Sequence, residues 1–277
     1  MKTANVLWDN TAETPAAERN LLTAALIEAY LPDVVGLQEV SPNKRAQCGE
    51  QDIALLLAEL GYTEADPGEI GNGYGVNFVP IFYRADAVTL IDCGWYWYRA
   101  QNNPISADDK ASKSLTWAVF EAASGERFVV VSTHMCTQSD AVRLQQAGEL
   151  TELLDELSAE YPYPVLVGGD FNANMNSESY AWLTGQGGLK NTADLATQYA
   201  SPYRGNFTYP QYRGELGFVT SDSTVQDVLD SRRADGVDRI LCRQWESLDI
   251  RVFALVIHEI ALSSSDHLPM ILDFSLG

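Results

Sequence analysis

The sequence predicts an α/β fold: a four-layer sandwich in which two packed, mixed β-sheets are flanked by helices. Three observations lead there. Ten runs rich in β-branched and aromatic residues recur along the 277-residue chain, bounded by Gly, Pro, Asp or Asn. Only four stretches carry helical periodicity, and they are interspersed among the strands. The second half also loosely repeats the first: a long helix, an apolar strand ending in acid, a short helix, then further strands. Many strands with few covering helices fit two sheets stacked face to face with helices outside.

The elements follow in order. Residues 5–8 read as a strand. Residues 14–30 read as a helix, because TPAAE puts Thr14 at the cap, Pro15 in the first turn and Glu18 behind it. A strand at 33–38 precedes a helix at 52–60 that stops at Gly61. Strands follow at 76–83, 87–93, 114–121 and 127–133. The helix at 140–160 spaces Leu144, Ala147, Leu150, Leu154 and Leu157 by three and four. A strand at 164–169, a helix at 177–184 closed by Gly185, and strands at 237–242, 250–256 and 269–274 complete the chain. The Ser263–Ser265 run reads as a polar loop.

No Pro/Ser-rich linker or low-complexity tract divides the chain, so one domain over 1–277 is expected. Cys48, Cys93, Cys136 and Cys242 are scattered without a CxxC and read as free thiols. No apolar run approaches the roughly 20 residues that span a bilayer. The opening MKTANVLWDN has no apolar signal core, which points to the cytoplasm while leaving open a leader trimmed away. No obligate protein partner is implied.

The chain carries 38 Asp and Glu against 18 Lys and Arg, a net charge of −20. Tight, non-specific binding of long nucleic acids draws on many Lys/Arg–phosphate contacts, which this composition opposes.

Four polar motifs hang on the ends of apolar runs: VVGLQE to Glu39, VVVSTH to His134, VLVGGDFN to Asn172, and SSDH to His267. The chain has three histidines, and two fall in this set. Asp170 and Asn172, two apart on an extended segment, would point one way and reach one ligand. Asp266 and His267 suit metal and proton chemistry. A carboxylate closing an apolar strand, as Glu39 does, needs a partner or a metal. Asp238 precedes Arg239, so its plainest reading is a salt bridge to that side chain. Asn5 is a polar residue where β-propensity disfavours one. His258 lies outside every motif and reads as structural.

Taken in order, these residues resemble the endonuclease/exonuclease/phosphatase superfamily, with its deoxyribonuclease-I-like fold. The resemblance runs through Asn5, LQE at Glu39, PIFYR at 80–84, SLTWAVFE at 114–121, STH at His134, GDFN at Asp170 and Asn172, VDRIL at Asp238, and SDHLP at Asp266 and His267. It implies a hydrolase that cleaves phosphoesters by in-line attack of water. Glu39 would be the principal Mg²⁺ (or Mn²⁺) ligand, with Asn5 beside it and Asp266 close by. His267, oriented by Asp238, would act as general base or bind the phosphate. Asp170 would position or deprotonate the water. Asn172 and His134 would hold the non-bridging oxygens.

One departure stands out. Many relatives carry Glu at the position of Asn77, paired with the residue matching His134. An amide cannot stabilise an imidazolium by charge, so His134 is expected to work as a neutral hydrogen-bond donor. Substrate contacts are expected from Tyr209 in NFTYP, from Asn77, and from Trp97 in GWYWYRAQNNP. Alternation there sends Trp95 and Trp97 to one face and Tyr96 and Tyr98 to the other. The favoured activity is a Mg²⁺-dependent phosphodiesterase or nuclease acting on a nucleotide or on short or single-stranded nucleic acid. Open beside it stand a phosphatase of a small metabolite such as an inositol phosphate, and a non-catalytic protein that binds through the same cleft.

Overall fold

The computed structural model describes residues 2–5, 15–68, 78–100, 113–200 and 236–277, with the backbone alone at 2–5, 42–44 and 262. Among the described residues, thirteen strands form two sheets. The first contains β1 (Lys2–Asn5), β2 (Val34–Gln38), β3 (Tyr62–Glu64), β4 (Ile81–Arg84), β10 (Gln198–Tyr199), β12 (Leu248–Leu255) and β13 (Met270–Leu276), in the order β10-β12-β13-β1-β2-β4-β3. The second contains β5 (Val88–Trp97), β6 (Ser114–Ala122), β7 (Arg127–His134), β8 (Val165–Asp170), β9 (Lys190–Asn191) and β11 (Asp238–Arg243), in the order β5-β6-β7-β8-β11-β9. Both sheets are mixed. Each holds a parallel pair joined through a long helix: β1 and β2 through α1 (Ala16–Tyr30), β7 and β8 through α4 (Asp140–Glu160). This shared unit is the physical content of the internal repeat.

Among the described residues, three apolar clusters define the layers. Val34, Ile81, Phe120, Val130, Leu166 and Ile240 meet between the sheets. Ile27, Val35, Leu37 and Phe82 join Ile53 and Leu57 of α3 (Ile53–Glu59) on the outer face of the first sheet. Leu115, Val131 and Leu241 meet Leu150 of α4 and Leu183 of α5 (Glu178–Thr184) outside the second. Burying both faces explains why β2 and β8 read as unbroken apolar runs. The four-layer sandwich is therefore as expected.

Local signals held where they were chemical. Asp52 caps α3 by accepting from the Ala54 N–H, Gly61 follows with φ +83°, and Ser177 caps α5. Thr14 and residues 6–8 lie outside the described residues, and the first strand is placed at Lys2–Asn5. The serine run is a correction: Ser263 and Ser264 belong to helix α7 (Glu259–Ser264), capped by His258 Nδ1, which accepts from the Ile260 N–H. An aromatic cap in place of Ser or Asp hid that helix start, and it gives His258 its structural role. Helices α2 (Pro42–Cys48) and α6 (Thr192–Leu195) and strands β3, β9 and β10 were also unforeseen. Among the described residues, no disulfide joins any of the four cysteines. Among the described residues, no helix is long and apolar enough to cross a membrane.

Candidate active site

Strand register builds the site. Across the second sheet, Trp97 lies opposite Ser114, Ser114 opposite His134, His134 opposite Asp170, and Asp170 opposite Asp238. Paired residues share a face, so the row looks into the space between the sheets. Gly169 lets β7 and β8 lie this close. Its φ is +143°, and a Cβ there would sit 2.0 Å from the Thr133 carbonyl oxygen.

The first sheet brings Glu39 to the opposite rim. Gln38 Nε2 donates to Ser132 Oγ across the sheets at 3.0 Å, fixing the end of β2 against β7. Glu39 follows with φ +63°, a left-handed turn in a non-glycine residue, as found at constrained sites. Asn5 ends β1 opposite Gln38, one position short of Glu39.

The polar groups converge. His267 Nδ1 lies 2.8 Å from Asp238 Oδ2, and its Nε2 lies 4.0 Å from Asp266 Oδ1. Arg239 instead reaches the backbone carbonyl of Asp238 at 3.0 Å and packs over the Tyr180 ring. Its neighbour in sequence is thus not what the Asp238 carboxylate was placed to meet. His134 Nε2 lies 3.3 Å from Asp170 Oδ2. Ligand atoms of Asp170, Asp238 and His267 fall within 4.8 Å of one another.

Asn172 reaches the site by a different route from the one expected. The strand stops at Asp170, and Asn172 adopts φ +49°, so the alternation of an extended chain does not apply. Its N–H donates to Asp170 Oδ1 at 2.8 Å, and its Nδ2 donates to the Met135 carbonyl at 2.9 Å. One amide hydrogen and the amide oxygen are left for a ligand.

Sequence reasoning missed Lys113. This buried residue places Nζ 2.6 Å from His134 Nε2. Only register reveals it: Lys113 immediately precedes a strand whose first residue pairs with His134. A charged ammonium makes Nε2 an acceptor, which leaves the ring proton on Nδ1. The Asn77 argument for a neutral His134 falls on a residue outside the described ones, but the surroundings of the ring act on its titration directly. Burial first, then the charges of Lys113 and His267, hold it well below the ordinary histidine range.

The other groups shift the opposite way. Burial and then the Asp238 carboxylate push Asp170 up to about 7, against the pull of His267 and Lys113. Burial raises Asp266, offset in part by His267 and reinforced by Glu39. For His267, burial favours the neutral ring but is outweighed by Asp238, Asp266 and Asp170, so the imidazolium persists well above the ordinary range. Asn77 and Tyr209 lie outside the described residues. Trp97 stands at the far end of the register row.

No curated protein matches the chain. Solved structures of the same fold do. An endonuclease/exonuclease/phosphatase from Bacteroides vulgatus is 22% identical, with TM-score 0.75, covering 100% of this chain and 98% of its own. A mannosyl-6-phosphatase from Bacteroides thetaiotaomicron is 18% identical, with TM-score 0.72 and complete coverage of both chains. A D. rerio TDP2, complexed with single strand DNA product, is 17% identical with TM-score 0.65, covering 99% and 98%. The profile described as the Endonuclease/Exonuclease/phosphatase family matches residues 3–267, spanning every motif from Asn5 to His267, and the chain therefore belongs to that family, whose members are phosphoester hydrolases.

Proposed function

We propose that the chain is a divalent-metal-dependent phosphodiesterase acting on nucleotides or short single-stranded nucleic acid, with residues 1–277 working as one domain. The observation that carries this reading is the register row, which sets Asp170 between His134 and the His267–Asp238 pair. Glu39 and Asp266, close enough that the charge of one raises the other, would form an oxygen-donor pole, with Asn5 at the end of the adjoining strand. Crowded carboxylates of this kind suit Mg²⁺ or Mn²⁺ better than a softer ion. When bound, the ion would act as Lewis acid and template for the phosphoryl group.

The residues supply the rest. His267, held as imidazolium by Asp238, donates to a phosphate oxygen. Asp170, whose carboxyl titrates near neutrality, takes the proton from the attacking water. Attack in line forms the new P–O bond as the bond to the leaving oxygen breaks, and that oxygen is protonated by solvent. The Lys113 ammonium offsets charge on the phosphate from behind His134, while the Asn172 amide and His134 Nδ1–H are the remaining neutral donors. Trp97, Asn77 and Tyr209 would contact the rest of the substrate. Free thiols fit a reducing, cytoplasmic setting.

Hydrolysis of bis-p-nitrophenyl phosphate with Mg²⁺ or Mn²⁺ tests the mechanism. Activity insensitive to EDTA, or undiminished in both Asp170→Ala and His267→Ala, sinks it. A phosphomonoesterase of small metabolites is the second reading, supported by the likeness to the mannosyl-6-phosphatase and by the −20 charge. A parallel screen of plasmid, RNA oligomer, nucleotides and inositol phosphates separates them. Release of inorganic phosphate favours the monoesterase, and ends that retain phosphate favour the diesterase.

A further inference from the structure

We infer that Trp97 and Phe78 form the subsite for a nucleobase of the substrate, an inference that rests on the phosphoesterase reading above. The flanking tyrosines of β5 turn outward. Tyr96 donates its hydroxyl to Glu149 of α4 at 2.8 Å, and the Tyr98 hydroxyl is 2.8 Å from Thr133 Oγ1. Alternation therefore aims Trp97 inward, on the face that carries His134 and Asp170.

Phe78 lies on the segment that leads into β4 of the other sheet. Its carbonyl accepts the Val40 N–H at 3.1 Å, which anchors it beside Glu39. The two rings meet edge to face, 6.3 Å between centroids at 68°. The aromatic pair thus closes the cleft from the metal rim of one sheet to the end of the catalytic row on the other. Among the described residues, neither ring belongs to any of the three core clusters, and Trp97 is only half-buried. Among the described residues its indole N–H is nonetheless buried with no hydrogen-bond acceptor, and a structural role would have satisfied that atom. Core packing explains Tyr96, which joins the cluster beneath α4, but not Trp97.

Distance favours a base over a sugar. Trp97 stands two strands from His134, about 10 Å at ordinary strand spacing. The ring of a hexose phosphate adjoins its phosphate, too near the row to reach this wall. A nucleobase is held off by its ribose and spans the gap. Base stacking on an aromatic face gains about 5- to 150-fold in affinity.

The experiment measures binding of AMP, ribose 5-phosphate and mannose 6-phosphate by calorimetry, in EDTA, with the whole chain. Wild type is expected to bind AMP about 5- to 150-fold tighter than ribose 5-phosphate. Trp97→Ala is expected to lose most of that ratio, and Trp97→Phe to keep much of it. Near-ultraviolet circular dichroism reports whether each variant folds, and the wild-type ratio tests the idea even if Trp97→Ala does not. Equal or undetectable binding of AMP and ribose 5-phosphate overturns the subsite, as does a Trp97→Ala loss that is equal for AMP and mannose 6-phosphate. Wild-type hydrolysis of bis-p-nitrophenyl phosphate without a preference for AMP removes the subsite alone. A preference for AMP without hydrolysis removes the catalytic reading.

Discussion

Asp170 is a carboxylate placed where burial and a second carboxylate both oppose its charge. Its folded value of about 7 lies above the ordinary 3.8, so the fold loses stability as pH climbs between them and levels off above. Asp170→Asn removes that penalty along with the base. Thermal melting in EDTA should show a Tm gain that is absent near pH 4 and reaches several degrees at pH 8, at about 2–4 °C per kcal/mol, while hydrolysis is lost. A Tm unchanged at pH 8 would mean that the carboxylate is relieved in some other way. Lys113 offers a second case. Lys113→Met removes a cation 2.6 Å from His134, so the His134 ring should titrate closer to the ordinary 6.5 in a histidine NMR titration. Hydrolysis should also fall, by less than the roughly 10²-fold that follows loss of a direct donor to a developing oxyanion. Residue identity was legible where a polar side chain ended an apolar run, as at Glu39, His134 and Asp170. Lys113 was not, because a lysine in DDKASK looks like any solvated loop residue until register sets it beside a histidine.

At the scale of elements, what was legible tracks length. Helix α4 and strands β6, β7 and β8 repeat their pattern long enough to be read, whereas β9, β10 and α6 span two to four residues and have no period to detect. Their structure comes from docking: Thr192 Oγ1 donates to the Ile240 carbonyl, and β9 adds to the edge of β11. The pairing of β7 with β8 makes a sharper prediction. Gly169→Ala drives a methyl toward the Thr133 carbonyl in a backbone region that side chains avoid. Urea unfolding should show a loss of about 2–5 kcal/mol, and activity should fall further than stability because His134 and Asp170 ride on the two strands that part. A mild loss with normal activity would show that β8 can flatten there.

The whole molecule carries −20, and that field repels the polyanions some members of its fold process. Screening should therefore help it. For an oligonucleotide substrate, kcat/KM is expected to rise several-fold between about 20 and about 200 mM salt, as the Debye length contracts below about 10 Å. A steep fall with salt would reveal a local basic track strong enough to dominate. The sandwich itself was foreseen from strand abundance, but the spacing of its two halves was not, since no single run encodes a distance between sheets.

That spacing hangs on a small contact. A Cβ on Gly36 would lie 3.1 Å from Ser132 Oγ, so the jaws of the cleft, Glu39 on one and Asp170 on the other, close only as far as a hydrogen atom and a hydroxymethyl permit. Gly36→Ala then acts as a shim. It alters no charged group and touches no substrate, yet widens the gap by tenths of an ångström. Reacting groups misplaced by about 1 Å cost about 10²-fold, so a roughly tenfold fall in kcat with little change in KM is the expected reading. The rate of this chemistry would then be adjustable from a position that carries none of it.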